Sequence, residues 1–185
     1  MKIVPMTAAY AAEIVTWRYP PPYDLYDMSV ADAAILTSAD GGFFALVDRD
    51  ELIGFRSFGA DGQVPGGSYD SAALDTGGGL RPDLTGKGLG GTAVQTGLAF
   101  GRDRFAPAAF RVTVATFNIR ALRVVRALGF GHAVSFRATT DGRSYEILTR
   151  PESTAPPGAC GGCHVNAPTE SAQLRAPSAG TAPRA

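Results

Sequence analysis

Between Ala73 and Phe105 the chain spells out a strand, a bend and a helix in succession, and the glycines at the join restrict what fold can hold them. Ala73 to Leu80 reads as a strand. Arg81-Pro82-Asp83-Leu84 is a bend, because Pro82 fixes its own φ and biases the residue before it away from helix. Thr85-Gly86-Lys87-Gly88-Leu89-Gly90-Gly91 follows. From Gly88 to about Phe105 the apolar residues spread over more than one side of a helix, which predicts a well-buried one. Alternate glycines at a helix start remove the Cβ atoms that would keep backbone amides away from an anion. Successive free amides and the helix dipole then make a phosphate nest. A plain flexible turn is the alternative.

Two other phosphate-binding patterns fail here. A Walker loop needs Gly, four residues, then Gly-Lys-Ser/Thr; Gly88 follows Lys87, and Arg81 stands where the first glycine belongs. The dinucleotide pattern is formally met by Gly86, Gly88 and Gly91. It also requires an acidic residue about 20 positions on to hold a ribose. That region reads Arg111-Val112-Thr113-Val114.

The rest of the first 150 residues alternates between the two hydrophobic periods. Ile3-Val4 begins a strand, and Thr7 caps a helix to about Trp17. Pro20, Pro21 and Pro22 make Arg18 to Met28 a loop. Ser29-Val30-Ala31-Asp32 is a capping box opening a short helix to about Thr37. Phe43 to Asp48 and Leu52 to Phe58 form a hairpin. Phe110 to Thr116 is a strand, Asn118 to Leu128 a helix. Phe130 to Arg137 and Ser144 to Thr149 are strands joined at Thr140-Asp141-Gly142. The order β-α-α-β-β-β-α-β-α-β-β predicts an α+β fold, a mixed sheet with helices packed on it.

Composition excludes several partners. Lys plus Arg equals Asp plus Glu, 17 each, which gives no electrostatic case for nucleic acid or an anionic membrane. No apolar run approaches the roughly 18 residues of a membrane span. The start, Met1-Lys2-Ile3-Val4-Pro5, lacks a secretory pattern, so the expected compartment is the cytoplasm. The expected state is monomer or homodimer. After Arg150 the chain is mostly Pro, Ala, Gly, Ser and Thr, which cannot bury enough apolar area to offset its ordering entropy. Residues 151–185 are therefore expected to be a disordered tail. Cys160-Gly161-Gly162-Cys163-His164 matches a haem-attachment spacing, but it has no apolar sequence around it to build a haem pocket. No metal site is expected.

Leu80-Arg81-Pro82-Asp83-Leu84-Thr85-Gly86-Lys87-Gly88-Leu89-Gly90 resembles motif A of the GNAT superfamily of acyl-CoA N-acyltransferases, with Thr85 where Gln or Arg is usual. Asn118-Ile119-Arg120-Ala121 followed by Leu128-Gly129-Phe130 is similar to that superfamily's Asn-x-x-Ala…Gly-Phe helix. The resemblance covers residues 2–149. It implies an acetyltransferase that uses acetyl-CoA, with the pyrophosphate on Thr85, Gly86, Lys87, Gly88, Leu89, Gly90 and Gly91. It also implies that the strands Ala73–Leu80 and Phe110–Thr116 splay to admit pantetheine. Gly79, Leu80, Arg81 and Asn118 would then contact the coenzyme; Asn118 also suits an N-cap.

Amine attack on a thioester needs a neutral amine, a stabilised oxyanion and a protonated leaving thiolate. Val125 stands where the superfamily often has a tyrosine near the sulfur. That departure keeps open a non-catalytic acyl-CoA-binding module. Tyr145 is a candidate acid. Asp75 is a candidate base acting through water, although a solvent-facing Asp at a strand start fits as well. Arg120, Arg123 and Arg126 share one helix side, either a solvated face or a reach toward the 3′-phosphate. The segment Trp17 to Met28 concentrates aromatics and carboxylates in a stiff loop. Tyr19, Tyr23, Tyr26 and Asp27 there are candidate contacts for a small-molecule amine, since aromatic faces and carboxylates suit a cation. The other reading is that these aromatics cover the core.

Overall fold

The computed structural model describes residues 1–39 and 41–152. The motif Cys160 to His164 and nearly all of the expected tail lie outside these residues. Among the described residues there are seven strands in one sheet and four α-helices. The strands are β1 (Lys2–Pro5), β2 (Phe43–Asp48), β3 (Glu51–Phe58), β4 (Leu74–Leu80), β5 (Ala109–Ala115), β6 (Gly131–Arg137) and β7 (Ser144–Pro151). The helices are α1 (Ala8–Ile14), α2 (Asp32–Leu36), α3 (Gly90–Phe105) and α4 (Ile119–Ala127). The sheet order is β1-β2-β3-β4-β5-β7-β6, antiparallel except for β4 beside β5.

The α+β order expected from the sequence is the one observed, and the differences are local. Thr7 caps α1, its side chain accepting from the Tyr10 amide. The box at Ser29 forms in one direction only: Asp32 accepts from the Ser29 amide at 2.6 Å, and the helix starts at Asp32. A turn at Val30-Ala31 intervenes, so the box closes a turn and not the helix itself. The domain also runs beyond Arg150. Pro151 pairs with Ala109, and the Glu152 amide donates to Ala108. Pro151 fits there because it sits at the strand end, where a missing amide costs no ladder bond.

Helices cover both faces. On one face α1 and α2 bury Ala11, Ile14, Trp17 and Leu36 against Ala45, Val47 and Leu52. On the other, α3 and α4 bury Leu98, Leu122 and Val125 against Phe58, Phe110, Val112 and Val114. Each such large side chain contributes about 1.5–3 kcal/mol on burial. Close helix approach comes from glycine: a Cβ on Gly101 would stand 2.8 Å from the Phe110 ring.

One segment lies between the elements read from the sequence. Residues 59–73 run across the α1/α2 face of β4, β5 and β7. The Tyr69 hydroxyl lies 3.1 Å from Thr113 Oγ1, and the Thr139 amide donates to Pro65. Val64 packs on the small cluster of Ala115, Ala138 and Tyr145.

Candidate functional site: a cleft between two diverging strands

β4 and β5 pair only at Leu74–Phe110 and Asp75–Arg111. From Thr76 onward β4 has no partner on that side, so a gap opens toward Leu80 and Ala115. The backbone groups that line it follow from the ladder on the other side. The Arg81 amide donates to Ile53 at 2.9 Å. Bonding direction alternates along an antiparallel pair. Gly79 and Gly77 therefore turn their backbone groups to Phe55 and Ser57 on β3. Thr76, Gly78 and Leu80 turn theirs into the gap. The expectation that Gly79 itself offers backbone to a ligand is thereby corrected to Gly78 and Leu80. The Leu80 carbonyl is already used: the Tyr19 hydroxyl donates to it at 2.7 Å.

The closed end is held by charge. Arg111 donates from Nε to Asp75 Oδ1 at 2.6 Å and from Nη2 to Oδ2 at 2.8 Å, and both residues are buried. Gln63 donates to the same carboxylate at 2.8 Å, and Asp70 takes Arg111 Nη1. These bonds hold the Arg111 pKa above its ordinary value. This corrects the view of Asp75 as solvent-facing, and three bonds already fall on a carboxylate with about four acceptor positions. Its role is to lock β4 to β5. Two shallow depressions, of about 210 and 330 Å³, lie around this paired end, between Ser68 and Leu74, and are separate from the gap.

At the mouth stands the glycine loop. Gly86 and Gly88 have φ of +76° and +81°, which L side chains rarely adopt, and a Cβ at either would meet nothing within 4 Å. The loop is therefore glycine for its backbone and not for lack of room. Leu89, the residue before α3, supplies no side-chain cap. Among the described residues, the amides of Gly86, Lys87, Gly88 and Leu89 donate to no backbone carbonyl. Unspent amides at a helix start fit a phosphate group. Thr85 is occupied, its hydroxyl donating to the Pro82 carbonyl at 2.8 Å. Arg81 is occupied too: its guanidinium donates to Asp83 at 2.8 Å and to the Leu52 carbonyl at 3.0 Å, its amide donates to Ile53, and its carbonyl accepts from the Leu84 amide. Lys87 is exposed.

The loop of Tyr19 to Asp27 crosses from one lip of the gap to the other. Tyr19 holds the β4 lip. Burial and the nearby Asp27 push its phenol up to about 12. On the β5 side, Tyr23 and Tyr26 lie against Phe117 with centroids 5.9 and 6.1 Å away. Asn118 caps α4 through the Ala121 amide and donates to the Tyr26 hydroxyl at 3.2 Å. It thus fulfils the capping reading, and its amide nitrogen spends one of its two N–H donors on Tyr26. Asp27 accepts from the Tyr19 amide at 2.8 Å and lies 3.9 Å from Arg18. The Tyr23 ring already carries a cation, with the Arg120 guanidinium 5.0 Å from its centroid. Of the four candidate acceptor contacts, Tyr23 and Asp27 are thus engaged within the protein. Tyr26 is the most open, and burial raises its pKa, with Asn118 opposing.

Tyr145 is buried and stacked on Phe136 at 5.8 Å. Burial, then Asp141, raises its pKa, while Arg143 opposes. Val125 lies in the core beneath α4. Of the arginines on α4, Arg126 pairs with Glu146 at 2.6 Å.

One residue of the site was missed. Arg56, on β3, is 6% exposed and lies on the α3 face. Its Nη2 donates to Thr76 Oγ1 at 3.0 Å, and its Nε has no partner. Burial alone pushes its pKa down to about 10, with no carboxylate offsetting it. The signals were present: a lone arginine in an apolar strand, and a glycine, Gly97, in mid-helix where it costs about 1 kcal/mol.

A sheet whose parallel pair diverges, with unspent amides at the mouth, has a shape and polarity that suit a long, phosphate-bearing cosubstrate. A family model described as the acetyltransferase (GNAT) domain matches residues 4–131, and the chain belongs to this family. Solved structures agree in fold. A GNAT-family acetyltransferase from Bacillus anthracis is 14% identical, with 80% of this chain and 93% of that one covered at a TM-score of 0.63. The aminoglycoside acetyltransferase AAC(6')-Ib, in complex with coenzyme A, is 16% identical, with 81% and 94% covered at 0.65. A spermidine N-acetyltransferase SpeG chimera from Vibrio cholerae and hSSAT is 13% identical, with 80% and 94% covered at 0.61. A search of curated protein sequences finds no significant match.

Proposed function

We propose that this acetyltransferase moves the acetyl group of acetyl-CoA onto a primary amine of a small-molecule acceptor. The observation that carries the reading is the gap beyond Thr76, with unspent amides at its mouth and backbone of Gly78 and Leu80 along its wall. Structural neighbours named for aminoglycoside and spermidine acetylation support the acceptor class. The reading carries with it a cytoplasmic enzyme, monomeric or homodimeric.

Acetyl-CoA supplies a thioester carbonyl open to attack. The amine must be neutral; a C–N bond forms, the C–S bond breaks, the nitrogen loses a proton and the thiolate gains one. The amides of Gly78 and Leu80 are the donors placed to hold an oxyanion in the gap. Tyr26 and Tyr145 are phenols, protonated at neutral pH at the ordinary value near 10; burial raises both further, which keeps the proton in place and makes each a weaker acid. Tyr26 and Tyr19 stand on the face from which an amine would enter. With Val125 lacking a hydroxyl, positioning carries much of the acceleration.

The test is acetyl-CoA-dependent thiol release against polyamines, aminoglycosides, amino acids and peptide N-termini. Turnover with at least one small amine is expected. Activity confined to peptides would overturn the acceptor class. Gly88→Val tests the nest: the strained φ costs about 1–2 kcal/mol of stability, and CoA affinity should fall at least about tenfold. Unchanged affinity in the folded variant would remove the nest from the site.

A further inference from the structure

The floor of the gap is the point where β4 leaves β5, and Thr76 is its first unpaired residue. Arg56 reaches that point from β3. It crosses the α3 face of β4 and bonds Thr76 Oγ1 at 3.0 Å. Two glycines make way for it. A Cβ on Gly97 of α3 would stand 2.7 Å from Arg56 Nε, and one on Gly78 would stand 3.0 Å from its Cδ. Among the described residues, no carboxylate pairs with this guanidinium, and its Nε is an orphan donor although the residue is 6% exposed. A planar guanidinium is shaped for a carboxylate, which it binds through two parallel bonds. Acetyl ends in a methyl group and would leave the charge unanswered.

We propose that Arg56 and Thr76 form the far end of an acyl subsite, which takes, beside acetyl, a short acyl chain ending in a carboxylate and carried on coenzyme A. Malonyl and succinyl groups have this chemistry. The assignment rests on the reading of the β4–β5 gap as the coenzyme cleft. The carboxylate supplies the counter-charge that the fold withholds, and the Thr76 hydroxyl sets the tilt of the guanidinium.

The experiment is calorimetric titration of the full chain with CoA, acetyl-CoA, malonyl-CoA and succinyl-CoA. Malonyl- or succinyl-CoA should bind at least about tenfold more tightly than acetyl-CoA, a difference of about 1.4 kcal/mol. In Arg56→Met that ratio should fall to about one, and in Arg56→Lys, which keeps charge but loses the fork, it should lie between. Melting curves report whether each variant folds; if Arg56→Met does not, Thr76→Val should lower the ratio instead. Equal affinity for acetyl- and malonyl- or succinyl-CoA in the unaltered chain overturns the inference while leaving the coenzyme cleft standing. An unchanged ratio in folded Arg56→Met overturns it as well. Failure of every CoA species to bind would remove the cleft reading and this inference together.

Discussion

The two ends of the β4–β5 gap are built from different chemistry. The closed end is locked by ions: Arg111 donates two bonds to Asp75, both residues buried, with Gln63 donating to the same carboxylate and Asp70 accepting from the same guanidinium. The open end is held by single neutral hydrogen bonds, Tyr19 to the Leu80 carbonyl and Asn118 to the Tyr26 hydroxyl. Breaking one partner of a buried ion pair leaves an uncompensated charge, whereas losing a neutral hydrogen bond costs far less. One sheet is thus rigid at its joint and adaptable at its lips. The strands can yield where a ligand enters without unzipping where they meet.

The comparison breaks most directly at Arg111. Arg111→Met leaves Asp75 buried without its cation and Asp70 without its partner. The expected loss is about 3–5 kcal/mol, or a melting temperature lower by roughly 10 °C in a domain of this size. Thermal denaturation measures it. A drop of only a degree or two would show that the joint is held by packing and not by charge.

Much of this arrangement was legible in the sequence. The order of strands and helices followed from periodicity, and a helix opening in the glycine run followed from glycine spacing, because both signals are local; the helix read from Gly88 begins at Gly90. What escaped reading was long-range. Asp75 looked solvent-facing, since its partner Arg111 is 36 positions away and no local pattern announces a buried pair. Residues 59–73 carried no period, and their course is set by Tyr69, Asp70 and Gln63 meeting strands far along the chain. Arg81 read as a ligand because it sits in the motif, yet its guanidinium braces Asp83 and Leu52. Arg56 was passed over because a strand reading counts apolar neighbours and does not ask what a lone charge among them is for.

At the other end, Tyr19→Phe removes one neutral bond and keeps the ring. The expected cost is about 1 kcal/mol, roughly 3 °C in melting temperature. Amide exchange should quicken around Gly78 to Leu80 and not at Leu74 or Asp75. The pH dependence sharpens the contrast. The Tyr19 phenol is raised in the folded state to about 12, above the ordinary value near 10. Its contribution is complete below about pH 10 and is lost as pH rises toward about 12, because only the unfolded chain gives up the proton in that window. Stability of the unaltered chain should therefore fall more steeply there than that of Tyr19→Phe. Parallel curves would place Tyr19 outside the structure of the lip.

The smallest effect is expected at Glu152, where charge again holds a strand end but close to solvent. Its carboxylate accepts from Arg102 at 2.8 Å and from Arg150. Burial works to raise its pKa, and the bonds from Arg102 and Arg150 outweigh that, leaving it below the ordinary glutamate value. A depressed carboxylate contributes stability above its unfolded pKa, near 4.3. That contribution disappears as pH falls through the lower folded value. Glu152→Gln should cost under about 1 kcal/mol at neutral pH, since Arg102 is half exposed and solvent screens the pair. The two melting curves should converge below about pH 4. A chain ending at Arg150 loses the same pairs and the Pro151 pairing, so it should melt slightly below one ending at Thr154. If Glu152→Gln instead matched Arg111→Met, the distinction would fail: burial of the charges would not be what makes the joint of the cleft strong.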